Sequence, residues 1–211
     1  MPQPHSVVVG GTVRRITWWL LVVVPWAAAC GDDLREPTGV GESCIPSDEY
    51  DPAFSGYSAA ELNLDFGPHQ CATNLCLVNH FQGRVSCPYG QTLSDVEQGT
   101  PGCVIPRRAG AHAGEPVLVP VAPQLLGRRP DRAVYCSCRC ANAQGKTNDG
   151  AVYCDCLEGY QCAQLLPDLD MVDATMTGGF CIKKGTDLKP TDLGGLTCVP
   201  GSTNCGPARA E

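Results

Sequence analysis

The sequence predicts a small disulfide-rich fold that is mostly β and irregular, with short hairpins, loops, little helix and a single crosslinked unit. Cysteine occurs 15 times in 211 residues, while Leu, Ile, Val and Phe supply only 35 of the 182 residues from Cys30 onward. So small an apolar core does not offset a chain entropy of about 1–2 kcal/mol per residue. Disulfides contribute about 2–4 kcal/mol each by restricting the unfolded chain. We therefore expect crosslinks to hold the domain together.

An export signal occupies residues 1–29. Arg14 and Arg15 precede the apolar run 16–26, and three alanines follow it. A basic segment, a short apolar stretch and small residues before a cleavage site are typical of a secretory signal. The run is shorter than the roughly 20 apolar residues that a membrane-spanning helix needs. We expect cleavage before Cys30, which removes both arginines and changes the net charge from −7 to −9.

The segment Ala27-Ala28-Ala29-Cys30-Gly31 resembles the lipobox of bacterial lipoproteins, whose cysteine is acylated before cleavage. The family prefers Leu at the position of Ala27, and Ala27 with Ala29 also satisfies ordinary A-x-A cleavage. The cysteine count favours the lipobox, because removing Cys30 from the disulfide pool leaves an even fourteen. The resemblance implies a lipid on Cys30, and several acyl chains on one cysteine would anchor the protein firmly in a membrane.

The same resemblance implies a place in the bacterial cell envelope. Gly31 rather than Asp follows the cysteine, which implies transfer to the outer membrane. Asp32 and Asp33 lie close enough to the sorting position to leave the choice of membrane open. The acidic net charge argues against a nucleic-acid partner, because phosphate binding needs clustered lysine and arginine.

The remaining fourteen cysteines are expected to form seven disulfides. They fall into a group of five and a group of nine: Cys44, Cys71, Cys76, Cys87 and Cys103, then Cys136, Cys138, Cys140, Cys154, Cys156, Cys162, Cys181, Cys198 and Cys205. Because both groups are odd in number, at least one disulfide must join them, which predicts one interlocked unit. The pairing itself does not follow from the sequence, since fourteen cysteines allow on the order of 100,000 connectivities.

Three segments follow the signal. Residues 30–43 are polar and rich in Gly and Pro, which is typical of a flexible tether. Residues 44–205 form the cysteine-rich domain, and within it residues 104–135 make a cysteine-free crossover rich in Pro and Arg. Residues 206–211 are a C-terminal tail.

Local patterns predict one short helix and one hairpin in the first cysteine group. The capping box Ser58-Ala59-Ala60-Glu61 predicts a helix to about Leu64. The segments 75–81 and 84–87, joined by Gln-Gly, predict a hairpin that brings Cys76 near Cys87.

An internal repeat predicts a second hairpin. Residues 133–138 (AVYCSC) recur as residues 151–156 (AVYCDC), with the turn residues Asn-Asp-Gly just before the second copy. Strand alternation would place the cysteines of each copy on one face. Such a row of sulfur could be a thiolate cluster for Cu(I) or Zn, but disulfides suit an oxidising compartment better.

Three further patterns are weaker candidates for sites. Cys71, Cys76 and His80, with His69 nearby, have loose zinc-like spacing, although an offset of four on a strand spans about 13 Å. Acidic residues that could hold Ca²⁺, without EF-hand spacing, are Asp168, Asp170 and Asp173. Arginines that could contact an anionic glycan, or belong to a solvated crossover, are Arg107, Arg108, Arg128, Arg129 and Arg132.

The run Cys154-x-Cys156-Leu157-Glu158-Gly159-Tyr160 resembles the C-terminal piece of an epidermal-growth-factor-like module. The spacing departs from that family, because Cys162 comes too early and Cys181 too late. The resemblance covers about seven residues and implies an extracellular interaction role; the alternative is a short crosslinked turn.

The sequence predicts a non-enzymatic, lipid-anchored envelope protein with a structural or binding role. It lacks a G-x-S-x-G elbow, an H-E-x-x-H motif and C-x-x-C. We expect no cofactor and no metal, a membrane contact through the lipid on Cys30, and an envelope protein or glycan partner. A metal-binding or thiol-redox module using the C-x-C rows is the alternative, followed by a hydrolase acting on envelope polymers.

Overall fold

In the described part of the chain, two three-stranded antiparallel sheets make up most of the regular structure. The computed structural model describes residues 39–67, 70–107, 112–167, 176–189, 193–201 and 205. The first sheet has the order β1-β2-β3, with β1 at Leu62–Phe66, β2 at Leu75–Asn79 and β3 at Val134–Cys136. The second has the order β4-β6-β5, with β4 at Arg139–Ala141, β5 at Tyr160–Leu166 and β6 at Gly178–Lys183.

Among the residues that the structure describes, helix occurs only in short pieces. The helix α1 spans Leu93–Glu97, and its N-terminus is closed by a capping box between Thr92 and Asp95. The helix α2 spans Pro130–Ala133 and begins with a proline, which suits the first helical position because it has no N–H to satisfy. Two 3₁₀ turns lie at Ser47–Tyr50 and Leu126–Arg128. The predicted fold class, disulfide-rich and mostly β or irregular, is confirmed.

No helix among the described residues has the length and apolar character needed to cross a bilayer.

The central strand β2 organises the first sheet. All five of its residues are buried, because β1 and β3 flank it on both edges. Val78 packs in a cluster with Phe81 and Val134, and Leu77 packs in another with Tyr135 and Ile182. The second of these clusters includes a residue of β6, so the two sheets share apolar contacts.

The segment from β3 to β4 belongs to both sheets. It runs without a break from Val134 to Ala141 and changes sheet at Ser137 and Cys138. The Ser137 hydroxyl donates to the carbonyl of Cys181 at 2.7 Å, and the Cys181 N–H donates to the carbonyl of Cys138 at 3.0 Å. The first copy of the internal repeat therefore connects the sheets.

Seven disulfides crosslink the domain and use all fourteen cysteines after Cys30. The pairs are Cys44–Cys76, Cys71–Cys136, Cys87–Cys103, Cys138–Cys154, Cys140–Cys162, Cys156–Cys181 and Cys198–Cys205. Cys71–Cys136 alone joins the group of five to the group of nine. The prediction of a disulfide-rich, single crosslinked unit is confirmed.

A fully buried ion pair fixes the start of the domain. The Arg84 Nε lies 3.4 Å from Glu49 Oε2, and both side chains are fully buried. Arg84 also donates to the carbonyls of Phe54 at 2.8 Å and Asp51 at 3.3 Å. Burial raises the pKa of Glu49, while the hydrogen bond from Ser86 and the charge of Arg84 act in the opposite direction. These contacts supply the partners that buried charges require.

The helix predicted after Ser58 is wrong. Ser58 starts a turn instead, in which the Glu61 N–H donates to its carbonyl at 3.0 Å. The strand β1 follows directly from Leu62. A capping box is a local signal, and pairing with the buried β2 outweighs it.

The hairpin predicted over 75–87 is also wrong. β2 pairs with β1 and β3, and only an isolated bridge joins Arg84 to Cys87. Cys76 is bonded to Cys44 and Cys87 to Cys103, so these two cysteines are not partners. The burial of Arg84 against the first 3₁₀ turn draws this segment away from β2.

The hairpin predicted from the internal repeat is the third error. Residues 151–156 form neither strand nor helix, and β3 and β4 pair with β2 and β6. The two copies are joined by the Cys138–Cys154 disulfide and by a hydrogen bond from the Cys154 N–H to the Arg139 carbonyl at 3.0 Å. The buried β6 is the better partner for β4 because it brings Phe180 and Cys181 into the core.

The last residues of the predicted tether and parts of the crossover make contacts with the domain. Gly41 and Glu42 exchange backbone hydrogen bonds with Cys136 at 2.8 and 2.7 Å, so the end of the 30–43 tether pairs with β3. In the crossover, Val121 is buried and pairs with Gln91. Parts of the described crossover are therefore buried in the domain rather than solvated.

Candidate functional site: a disulfide cluster and the loop beside it

Three disulfides come together at the second sheet. Cys138–Cys154 and Cys156–Cys181 lie side by side: the Cys181 Sγ is 3.8 Å from the Cys138 Sγ and 3.7 Å from the Cys154 Sγ. Cys140–Cys162 completes the group, which we call the sulfur cluster. The sequence builds it by placing cysteines before and within β4 and opposite one another on β5 and β6.

Exposure differs within the sulfur cluster. Cys181 is fully buried and Cys138 nearly so, whereas Cys162 is exposed on the edge strand β5. Among the fourteen cysteines of the seven disulfides, Cys162 alone is exposed. Because exposed disulfides are the ones accessible to external thiols, we expect a reductant to reach Cys140–Cys162 first.

Metal binding would require the sulfur cluster to be reduced. The sulfurs of Cys138, Cys154 and Cys181 lie within 4.8 Å of one another, as do those of Cys140, Cys156 and Cys181. A thiolate, not a disulfide sulfur, is the metal ligand, and each of these cysteines is bonded to another. In the oxidised state the sulfur cluster therefore joins β4 to β5 and ties residues 154 and 156 to Cys138, just before β4, and to β6.

The zinc-like set in the first sheet does not assemble. Cys71 and Cys76 are consumed in disulfides with Cys136 and Cys44. The His80 Nδ1 lies 3.2 Å from the carbonyl of Ala59, and burial lowers the pKa of its imidazole. His69 lies outside the described residues.

The arginine-rich crossover does not present one basic surface. Arg128 is buried and donates to the carbonyls of Asn79 at 2.6 Å and His80 at 2.7 Å. Arg129 lies 3.3 Å from Asp131 in a partly exposed ion pair. For Arg128 both expectations, a shared glycan contact and a solvated run, are wrong. Its hydrogen bonds hold the crossover against the end of β2.

The remaining sequence candidates divide between described and undescribed residues. Cys30, Arg108 and the acidic residues Asp168, Asp170 and Asp173 lie outside the described residues. The growth-factor-like run is described: the Tyr160 N–H donates to the carbonyl of Leu157 at 2.9 Å, which makes a turn into β5.

A hydrogen-bonded loop lies beside the sulfur cluster. We call residues 142–153 the Asp149 loop. The Asp149 carboxylate accepts from the hydroxyl of Tyr153 at 2.7 Å, the amide of Asn142 at 2.8 Å and the N–H of Ala151 at 3.1 Å. These bonds, the one from Tyr153 first, lower the pKa of Asp149 to about 2. The Arg139 guanidinium covers the Tyr153 ring at 5.0 Å.

Sequence reasoning missed both polar networks. Arg84 follows Gly83 in a run that alternates like a strand, so nothing marks it as the partner of Glu49, 35 residues earlier. The turn residues Asn148, Asp149 and Gly150 indicated a turn, but not that one carboxylate would hold the loop.

The fold and the site together define a small β protein in which disulfides take the place of a large core. Comparisons of the chain with family models, with curated proteins and with solved structures find no match.

Proposed function

We propose that this chain is the precursor of a lipid-anchored protein of the bacterial cell envelope, with an extracytoplasmic domain in a structural or binding role. The observation that supports it most is the cysteine balance. The fourteen later cysteines bond to one another, so Cys30 has no cysteine partner within the chain. A cysteine left over beside a lipobox-like segment is accounted for by acylation.

The number of disulfides supports an extracytoplasmic location. Disulfides form and persist in oxidising compartments and are rare in the cytosol. Removal of residues 1–29 leaves Cys30 nine residues before Gly39, where the described domain begins. A lipid there would hold the domain close to the membrane, where it would meet an envelope protein or glycan.

Membrane fractionation tests the anchor. Cys30→Ser should move the protein from the membrane fraction to the soluble extracytoplasmic fraction. The double variant Cys198→Ser/Cys205→Ser is the matched control, because it removes two cysteines but leaves the signal intact, and it should stay in the membrane. Membrane retention of Cys30→Ser would overturn the proposal.

The sulfur cluster favours one second candidate, a thiol-redox or metal-binding module. A dithiol that reduces the exposed Cys140–Cys162 bond leaves as its own disulfide and frees two thiols. The Cys140 thiolate lies within 4.8 Å of the Cys156 sulfur, so it could attack that sulfur, form Cys140–Cys156 and release the Cys181 thiolate. The Cys181 thiolate lies 3.7 Å from Cys154, so it could attack that sulfur, form Cys154–Cys181 and release the Cys138 thiolate. The four thiols and thiolates of a further reduced state would suit Zn²⁺ or Cu⁺.

Redox equilibration separates the two candidates. The folded protein is incubated in glutathione buffers, trapped by alkylation and mapped by mass spectrometry, with and without zinc. Structural disulfides, with potentials below about −300 mV, should stay fully oxidised. Exchange among Cys138, Cys154 and Cys181, or zinc bound to trapped thiols, would favour the second candidate.

A further inference from the structure

Val152 projects from the Asp149 loop into solvent. It is 95% exposed, the largest value among the large apolar residues that the structure describes. A single exposed valine is ordinary on a protein surface and by itself indicates nothing. What distinguishes Val152 is that the residues around it are held in place.

The neighbours of Val152 are fixed on both sides. On one side the Ala151 N–H donates to Asp149 at 3.1 Å. On the other side the Tyr153 hydroxyl donates to Asp149 at 2.7 Å, and the Arg139 guanidinium covers the Tyr153 ring. The next residue, Cys154, donates its N–H to the Arg139 carbonyl and is bonded to Cys138. Residues 151–153, which we call the tip, are therefore held in place before any partner binds, which lowers the entropy cost of binding.

The backbone of the tip at Val152 is accessible to a binding partner. Residues 151–157 form no helix, strand or turn, and Val152 makes no hydrogen bond among the described residues. Its N–H and C=O are thus available to an extended cleft, where main-chain hydrogen bonds supply affinity and side-chain pockets supply specificity. In an exported protein, an exposed open segment of this kind is the ordinary target of a peptidase.

We propose that residues 151–153 are the contact element of a substrate-like inhibitor of a serine peptidase whose primary pocket accepts a small aliphatic side chain, with Val152 in that pocket. This inference rests on the binding role proposed above and names its partner. The β-branched, medium-sized Val152 side chain suits a small apolar pocket, whereas a basic or aromatic residue at this tip would suit other classes.

The crosslinks explain why cleavage would not release the peptidase. Attack of the serine hydroxyl on the Val152 carbonyl breaks the Val152–Tyr153 bond, forms an ester with Val152 and leaves the amine on Tyr153 with the proton. The two sides of the cut stay joined, because Cys138 lies before it and Cys154 after it. The amine therefore remains beside the ester, re-forms the peptide bond and regenerates the serine hydroxyl.

Inhibition kinetics test the proposal. The full mature chain in detergent is titrated into elastase, trypsin and chymotrypsin with chromogenic peptides as readout. We expect inhibition of elastase, weakened about 30-fold or more by Val152→Asp, the effect of losing a residue central to an interface. The Val152→Lys variant should no longer inhibit elastase and should instead inhibit trypsin, whose primary pocket carries an aspartate.

A second exposed valine is the matched control. Val199 is 54% exposed and lies outside the Asp149 loop, so Val199→Lys should inhibit elastase as the wild type does. Disulfide mapping of each variant verifies the fold. The proposal is overturned if the wild-type chain does not inhibit elastase, or if Val152→Lys inhibits it equally well. Membrane retention that depends on Cys30 is scored separately, so failure of the inhibitor role and failure of the anchor are distinguishable.

Discussion

Loss of the Cys71–Cys136 disulfide should destabilise the domain more than loss of any short-range crosslink. This bond closes a loop of 65 residues, which the Cys87–Cys103 bond shortens to an effective length of roughly 50. The loop-entropy relation then gives a stabilisation of about 4 kcal/mol. The same relation gives about 2.4 kcal/mol for Cys198–Cys205, which closes a loop of seven residues.

Alanine pairs make the comparison direct. The Cys71→Ala/Cys136→Ala chain should unfold about 8–16 °C below the wild type, and the Cys198→Ala/Cys205→Ala chain about 5–10 °C below it. Both are measured by calorimetry without reductant, after mapping shows that the other six disulfides are intact. A larger fall in unfolding temperature for the Cys198→Ala/Cys205→Ala chain would refute the reasoning. No measurable fall for the Cys71→Ala/Cys136→Ala chain would also refute it, because that chain lacks the single bond that joins the two cysteine groups.

Three further predictions concern individual side chains. In the folded chain the Asp149 carboxyl should titrate near pH 2, as measured by carbon NMR. The stability that its lowered pKa contributes is complete above pH 3.8 and is lost as the pH falls through about 2. A titration midpoint near pH 3.8 would contradict this. Arg84→Leu should cost about 3–5 kcal/mol in urea unfolding because it leaves the buried Glu49 unpaired, while Arg129→Leu, in an exposed pair, should cost less than about 1 kcal/mol. Limiting phosphine followed by maleimide should label Cys162 first, since it is the exposed cysteine; a first label on a buried cysteine would count against this.

Composition predicted the class of fold because it decides how a chain offsets its entropy. A low content of large aliphatic residues and a high content of cysteine leave crosslinking as the available solution, and the structure has seven disulfides. The odd sizes of the two cysteine groups required a bond between them, and Cys71–Cys136 is that bond. Neither conclusion depends on where any strand lies.

Strand pairing could not be predicted because the partners are distant along the chain. β2 and β3 align Cys76 with Cys136 across 60 residues, and no local pattern encodes that register. The repeat at 133–138 and 151–156 resembled a hairpin, yet its first copy bridges two sheets and its second forms an irregular segment. The Ser58 capping box likewise gave way to the pairing of β1 with β2. A local signal does set the structure where no buried strand competes with it, as the capping box at Thr92 does for the start of α1.

Mass spectrometry of the native protein, extracted from membranes and left unreduced, tests the central claim most directly. We predict a mature N-terminus at Cys30 carrying acyl chains, a mass fourteen hydrogens below that of the reduced chain, and a crosslinked peptide that joins Cys71 to Cys136. An unmodified Cys30, free thiols among the other fourteen cysteines, or no bond between the two cysteine groups would contradict the account.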